Sequence, residues 1–147
     1  RESLKNTAIE IPGLDWSIFV LNVGQVEVNR QATGRQFVYE ATGREGFNVS
    51  IWVELPEGPG TRHEDVFNYY WPKASANPLI DQRSVKIDKS SDQFVKVSYL
   101  SLSIPNVNYF FAYKGKWVDV HVSQAPLRNG AEKVILAQFE QALSYGK

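Results

Sequence analysis

The sequence predicts an α+β domain in which helices pack on an antiparallel sheet, in the order β-β-β-α-β-β-β-β-α. Residues 47–55 alternate apolar and polar side chains, which is typical of a strand with one buried face. Residues 106–123 form two strand-like runs around Lys114-Gly115, which indicates a hairpin. Two further segments carry apolar residues at helical spacing. Because each such helix must bury its apolar stripe, and the sheet is the only large apolar surface, the elements predict an α/β/α sandwich.

The first half of the chain predicts a lead-in and three strands. Pro12 and Gly13 are strong breakers, so residues 1–13 are expected to form a loose lead-in. The strand segments are rich in β-branched and aromatic residues, and Gly24 is expected to be a bend or bulge in the first of them. The predicted strands are residues 16–28, 36–41 and 47–55.

A helix is expected after the breaker-rich segment 56–60. Thr61 and Glu64 match a capping box, in which each side chain bonds a free backbone N–H of the first turn. The apolar stripe of this helix consists of Val66, Phe67 and Tyr70. Pro72 lacks a backbone donor and is expected to end or kink the helix.

The second half predicts four strands and a closing helix. The strands are residues 84–88, 94–103, 106–113 and 116–123. Asn129 and Glu132 indicate a second helix start. One apolar stripe then runs to the end of the helix, through Ala131, Ile135, Phe139, Ala142 and Leu143.

The hairpin register follows from a two-residue turn, which places Tyr113 opposite Lys116. One face then holds only apolar and aromatic residues and is expected to be core: Val107, Tyr109, Phe111, Val118, Val120 and Val122. The other face mixes polar and aromatic residues: Asn106, Asn108, Phe110, Ala112, Trp117, Asp119, His121 and Ser123. This second face is the first place to look for a site.

The element order, the hairpin sequence Y-F-F-A-Y-K-G-K-W at 109–117 and the helix sequence F-E-Q-A-L at 139–143 resemble the PsbP-like superfamily. That group includes extrinsic photosystem II subunits, a Ran-binding nuclear import factor and exported bacterial proteins of unknown role. The likeness extends from about Trp16 onward. It implies an antiparallel sheet packed by helices and a binding or accessory role. The superfamily offers no shared catalytic motif, so no functional residue is transferred.

Composition restricts the function classes. A chain of 147 residues, with no repeat or linker, fits one domain covering residues 1–147. Sixteen basic and sixteen acidic side chains cancel without long runs of either sign, which argues against nucleic-acid binding. The absence of cysteine excludes disulfides, thiolate zinc sites and cysteine nucleophiles.

No segment has the roughly 20 mostly apolar residues that a membrane-spanning helix needs. The chain also lacks methionine, so Arg1 is not a translation start. We therefore expect a trimmed product that was exported, to a secreted or periplasmic location.

Asp119 and His121 lie two positions apart on a predicted strand, so their side chains emerge on the same face, together with Trp117. An aspartate can orient a histidine or share a metal with it, which would suit a hydrolytic or metal site. Alternatively, the two side chains belong to a solvated strand face or bond to a covering helix. A metal site usually needs three or four ligands, and the sequence does not reveal the third.

His63 stands beside Glu64 and Asp65 in a second polar cluster. The H-E-x-x-H metal motif is not completed, because Phe67 stands where its second histidine would be. A role in the first turn of the helix is the preferred interpretation. A metal hypothesis would regain support only if the fold brought His63 near Asp119 and His121.

Aromatic residues suggest a binding surface. Tyr69 and Trp71 lie where the first helix ends, and Trp52 lies on the polar side of the third strand. We therefore expect a non-enzymatic binding or accessory domain that recognises a protein partner, with no cofactor, metal or catalytic residue. The candidate binding residues are Trp117, Asp119, His121, Phe110, Asn108, Tyr69, Trp71 and Trp52. The alternative is a small-ligand carrier or a metal-dependent hydrolase that uses Asp119 and His121.

Overall fold

The computed structural model describes residues 5–147, which form ten strands in two antiparallel sheets and two α-helices. The predicted α+β class is confirmed at this level. The helices are α1 (His63–Ala74) and α2 (Ala131–Ala142). The strands are β1 (Lys5–Glu10), β2 (Ser17–Asn22), β3 (Glu27–Ala32), β4 (Gln36–Thr42), β5 (Phe47–Glu54), β6 (Ile80–Asp88), β7 (Val95–Ser101), β8 (Ile104–Tyr113), β9 (Lys116–Gln124) and β10 (Ser144–Gly146).

The larger sheet has seven strands in the order β3-β4-β5-β9-β8-β7-β6. Strands β5, β9 and β8 therefore lie in its middle, and β3 and β6 form its edges. The smaller sheet has the order β1-β2-β10. All strand pairs in both sheets are antiparallel.

Two hydrophobic clusters lie on opposite faces of the larger sheet. On one face, side chains of β5, β8 and β9 pack against the smaller sheet and against Phe139 of α2. On the other face, Val66, Phe67 and Trp71 of α1 pack against Phe110 and Trp117. Each fully buried aromatic or aliphatic side chain stabilises the fold by roughly 1.5–3 kcal/mol, so both helices are held by their apolar stripes.

The predicted hairpin register is confirmed. Lys114 and Gly115 both adopt positive φ, at 46° and 76°, as a two-residue turn of type I′ requires. Tyr113 opposes Lys116, and Phe111 opposes Val118. The pairing therefore sorts the two faces of this hairpin as the sequence indicates.

The predictions for the first 28 residues are wrong in part. The expected lead-in contains β1, which pairs with β2 and brings Ile9 opposite Ile18. Ile9 is the only buried residue of β1, so the sequence of that strand shows no alternation. Residues 1–4 of the lead-in lie outside the described part. The single strand predicted over 16–28 is in fact two, because Gly24, at φ 59°, separates β2 in the smaller sheet from β3 in the larger one.

Other strands also differ from the prediction. Strand β6 begins at Ile80 rather than at Ser84. A bulge between Asp81 and Lys86 interrupts its alternating pattern, so the sequence did not show the earlier start. The strand predicted over 94–103 ends at Ser101, and Leu102-Ser103 turn the chain with positive φ. Strand β10 was not predicted, because three residues are too few to give a periodic signal.

The helix caps are shifted from their predicted positions. At α1 the carboxylate of Asp65, rather than that of Glu64, accepts a hydrogen bond from the backbone N–H of Arg62, at 3.0 Å. Glu64 instead forms an ion pair with Lys89 at 3.0 Å, a tertiary contact that local sequence cannot reveal. Pro72 does not end α1, because the Ser75 N–H bonds the Trp71 carbonyl and the helix continues to Ala74.

The predicted start of α2 is also wrong. Gly130, in the left-handed conformation at φ 70°, is the residue before the helix, and Asn129 has φ 58°. The carboxylate of Glu132 reaches back past both of them and accepts a hydrogen bond from the Leu127 backbone N–H at 2.8 Å.

Candidate functional site

A cleft of about 1000 Å³ lies between α1 and one face of the larger sheet. Helix α1 covers Phe110 and Trp117, which are close to the β8–β9 turn. The helix leaves the other end of the same sheet face open, and there Asn106, Asn108, Asp119 and His121 form the floor of the cleft. The position of α1 thus divides the mixed face of the hairpin into a buried aromatic half and a polar half.

The floor is a connected row of polar side chains. The Asn108 side-chain amide donates to Asp119 Oδ1 at 2.8 Å, and the Tyr99 hydroxyl donates to Asn108 Oδ1 at 2.6 Å. His121 Nε2 lies 2.7 Å from Asn106 Oδ1 and 3.5 Å from the Tyr99 hydroxyl. Each strand from β7 to β9 therefore supplies at least one member of the row.

His121 is held as a neutral imidazole. Its Nε2–H donates to the acceptor oxygen of Asn106, which fixes the tautomer. Burial lowers the pKa of His121 below its ordinary value. The imidazole consequently contributes a polar group to the cleft without adding a positive charge at neutral pH.

The pKa of Asp119 is shifted in the opposite direction to that of His121. Burial raises its pKa to about 6, and the hydrogen bond from Asn108 opposes that rise. Because this pKa lies below 7, the carboxylate is ionised at neutral pH. No basic group contributes to the pKa, so the carboxylate has no positive partner among the described residues. A partly buried, unpaired carboxylate at the floor of a cleft is a candidate ligand-binding group.

Aromatic side chains form the wall of the cleft. Trp52 lies directly opposite Asp119 in the β5–β9 pairing, and it is 39% exposed. Its indole Nε1–H donates to Glu54 Oε2 at 2.7 Å, and the Tyr70 hydroxyl donates to the same oxygen. Glu54 thereby orients both rings at the edge of the cleft. Tyr69 packs edge-on against Tyr70, with ring centroids 5.2 Å apart.

The charges at the cleft are unequal. Glu54, Glu57 and Asp119 are acidic, and Lys73 is the single lysine or arginine side chain among the lining residues of the described chain. The ammonium group of Lys73 lies over the Tyr69 ring, 3.3 Å from its centroid. Burial raises the pKa of Tyr70, and the hydrogen bond to Glu54 and the charges of Glu54, Asp119 and Glu57 add to that rise.

Five of the predicted site residues line the cleft: Trp52, Tyr69, Asn108, Asp119 and His121. The other three do not form a surface, which corrects the prediction. Phe110 is 0% exposed, Trp117 is 2% exposed and Trp71 is 7% exposed, because α1 packs its apolar stripe onto that part of the sheet. Of the three tryptophans proposed for partner recognition, only Trp52 reaches solvent to a substantial extent.

The sequence alone did not identify Tyr70, Tyr99, Glu54 or Lys73 as site residues. Tyr70 was expected in the apolar stripe of α1, yet its hydroxyl reaches Glu54. Tyr99 follows Val95 and Val97 at every second position of β7, which predicts an ordinary core residue. Only the pairing of β7 with β8 shows that its hydroxyl meets Asn108.

His63 lies outside the cleft and connects three segments. Its Nδ1 accepts a hydrogen bond from the Ala112 backbone N–H at 3.1 Å, and its Nε2 lies 2.9 Å from the Asp92 carbonyl. Because Nδ1 accepts a hydrogen bond, the ring proton lies on Nε2, and Nε2–H donates to the Asp92 carbonyl. His63 therefore fastens the start of α1 to β8 and to the β6–β7 loop.

Within residues 5–147, no three side chains of the metal-ligating types His, Cys, Asp and Glu are grouped so that they could hold one ion. In the same range, neither helix is long and apolar enough to cross a bilayer. No protein-family model matches the chain, and a search of curated proteins finds no match.

Proposed function

We propose that the protein is a non-enzymatic binding protein that holds a small organic molecule in the cleft between α1 and the larger sheet. The observation that carries this proposal is the cleft itself, about 1000 Å³ in volume, with aromatic rings on its wall and a hydrogen-bonded polar row on its floor. Small-molecule sites are typically concave, mostly apolar and equipped with a few converging polar groups.

The polar row supports binding because its members are already fixed. Asn108 bonds both Tyr99 and Asp119, so rotating any of the three side chains would break a hydrogen bond. Groups that are ordered before a ligand arrives lose little conformational freedom when it binds. A preorganised floor therefore favours a specific ligand over non-specific adsorption.

The burial of Trp71 and Trp117 makes the cleft a better candidate than a flat aromatic surface. Trp71 and Trp117 were expected to contact a protein partner. Because both rings belong to a hydrophobic cluster, removing either one would remove part of the core. Loss of binding in such variants would reflect unfolding, since Trp→Ala in a core costs about 3–5 kcal/mol.

The test is a fragment screen by two-dimensional ¹H–¹⁵N NMR on the 147-residue protein. The fragments include cationic, neutral and anionic aromatic compounds. We expect binding fragments of some charge class to shift the Trp52 indole N–H and the side-chain amides of Asn106 and Asn108. In the variant Ser50→Phe, an aromatic ring fills the floor of the cleft beside His121, and those shifts should disappear.

The matched control is Gln31→Phe, which adds the same ring at an exposed strand position outside the cleft. It should leave fragment binding unchanged. If no fragment of any charge class shifts the cleft residues, or if Ser50→Phe binds fragments as the wild type does, the proposed function is wrong.

We also propose that the fold is of the PsbP-like type. The pairing of β8 with β9 and the placement of the two helices on opposite faces of the larger sheet support this proposal. An experimental structure superposed on members of that superfamily tests it. Equivalent strand order across the seven-stranded sheet would support the assignment, and a different order would contradict it.

A further inference from the structure

We propose that the ligand of this cleft is a small organic cation, whose ammonium group binds between the Asp119 carboxylate and the Trp52 indole. This inference rests on the proposed function and specifies the chemical class of the ligand. It follows from the pairing of β5 with β9, from the charge balance of the cleft and from an ammonium–ring contact inside it.

Trp52 and Asp119 are direct cross-strand neighbours on the same sheet face. The Cβ atoms of such a pair are about 4.5–5.5 Å apart, so an ammonium group can contact both side chains at once. Asp119 Oδ1 already accepts the Asn108 amide. Within residues 5–147, Oδ2 has no donor, although the side chain is only partly exposed. The free oxygen therefore lies where an incoming donor would gain a charge-assisted hydrogen bond.

The charge balance favours a cation. Three carboxylates line the cleft, and none of them takes part in an ion pair among the described residues. Lys73 is the opposing positive charge, and its ammonium group is placed over Tyr69. A cleft with excess negative charge attracts cations and repels carboxylates and phosphates.

The contact between Lys73 and Tyr69 supplies an example of the same chemistry inside this protein. An ammonium group lies 3.3 Å from the centre of an aromatic ring on the wall of the cleft. Indole binds cations more strongly than phenol does, because its π-system carries a larger negative potential. Trp52, with an adjacent carboxylate, is therefore a stronger position for an ammonium group than Tyr69.

A neutral ligand would lack this advantage. Binding any molecule in the cleft removes water from Asp119, which costs free energy unless a positive or donor group replaces that water. An ammonium group replaces that water with a full positive charge, whereas a hydroxyl group offers only a dipole. The preference of the cleft for a cation over a neutral ligand should thus depend on Asp119.

The experiment compares three probes of similar size that differ in charge: 2-phenylethylamine, 2-phenylethanol and phenylacetate. Dissociation constants are measured by ¹H–¹⁵N NMR titration on the 147-residue protein at neutral pH and low salt. We expect the amine to bind roughly tenfold more tightly than the alcohol, and phenylacetate to bind most weakly. In Asp119→Asn, which keeps the side-chain shape, the preference for the amine should fall to roughly threefold or less.

The matched control is Glu40→Gln, which removes one negative charge from the same sheet face outside the cleft. It should keep the full preference. Trp52→Leu provides a second variant in case Asp119→Asn does not fold, because Trp52 is exposed enough to be replaced. This variant should weaken binding of the amine more than binding of the alcohol.

The outcomes separate the two proposals. If the alcohol or phenylacetate shifts the cleft residues and binds as tightly as the amine, the cation inference is wrong and the proposed function stands. The inference is likewise wrong if Asp119→Asn keeps the preference, or if Trp52→Leu weakens all probes equally. If none of the three probes binds at millimolar concentration, the inference is overturned, and the broader fragment screen decides the proposed function.

Discussion

Asn108 donates its side-chain amide to Asp119 across the β8–β9 ladder at 2.8 Å, although its direct partner in that ladder is His121. The contact is diagonal, and a long polar side chain can span that distance on an antiparallel sheet. The same Asn108 accepts the Tyr99 hydroxyl at 2.6 Å. One buried amide therefore joins three strands of the sheet and orients the carboxylate of the cleft.

Asn108→Ala should lower the free energy of unfolding by about 1–3 kcal/mol, because it leaves the Tyr99 hydroxyl and the Asp119 carboxylate without their partner. It should also raise the pKa of Asp119 further, since the hydrogen bond from Asn108 lowers that pKa. Urea denaturation and NMR titration of the carboxyl carbon measure the two effects. Asn48→Ala is the control, as Asn48 is exposed on β5 of the same sheet, and it should change stability by less than about 0.5 kcal/mol. Equal stability of the two variants would contradict the role of Asn108.

Asp119→Asn should stabilise the protein at neutral pH and have little effect near pH 4. The folded-state pKa of about 6 exceeds the ordinary aspartate value of 3.8, so the folded protein binds this proton more tightly than the unfolded chain does. The contribution of Asp119 to stability therefore falls as pH rises from about 4 to about 6, and it stays low above that range. The side chain introduced by Asp119→Asn cannot ionise. Above pH 6, the free energy of unfolding of this variant should therefore exceed that of the wild type by at most about 3 kcal/mol.

The measurement is urea denaturation of both proteins from about pH 4 to 8, with the difference between them plotted against pH. His121, whose pKa is lowered by burial, contributes with the opposite sign and is present in both proteins. Its effect cancels in the difference to the extent that the two groups titrate independently. A difference that does not change with pH would show that Asp119 titrates alike in the folded and unfolded states.

Two substitutions in the β8–β9 turn should act in opposite directions. Gly115 has φ 76°, and a Cβ there would meet no atom within 4 Å, so Gly115→Ala costs only backbone strain of about 1 kcal/mol. Lys114 has φ 46°, which asparagine tolerates better than lysine does, so Lys114→Asn should stabilise the hairpin by a few tenths of a kcal/mol. Thermal unfolding monitored by circular dichroism tests both changes. Destabilisation by Lys114→Asn would mean that its contact with Asp15, at 3.8 Å, outweighs the backbone strain.

His63→Ala should destabilise the protein by about 1–3 kcal/mol, because it removes hydrogen bonds to Ala112 and Asp92 that fasten α1 to two other segments. The neighbouring Glu64→Ala removes only a partly exposed ion pair with Lys89 and should cost less than about 1 kcal/mol. Hydrogen exchange at the Ala112 amide should be faster in His63→Ala than in Glu64→Ala. The structural role of His63 is wrong if the two variants exchange at the same rate.

Local pattern predicted the strands that alternate clearly and the turn that reverses the chain at Lys114-Gly115. Strand β5 is an example, as its alternating residues have one fully buried face. The hairpin register could be derived because a two-residue turn leaves no freedom in the pairing. Elements without a local period, such as β1 and β10, could not be found, since only their pairing with β2 makes them strands.

The sequence by itself determined which side chains share each face of the hairpin, because strand geometry and turn length fix that sorting. Only the tertiary structure decided which half of the mixed face is buried, because that depends on where α1 packs. The helix covers Phe110 and Trp117 and leaves Asn108, Asp119 and His121 at the floor of a cleft. Burial, and with it the raised pKa of Asp119, is a property of neighbours that are distant in sequence, so no local pattern could have revealed it.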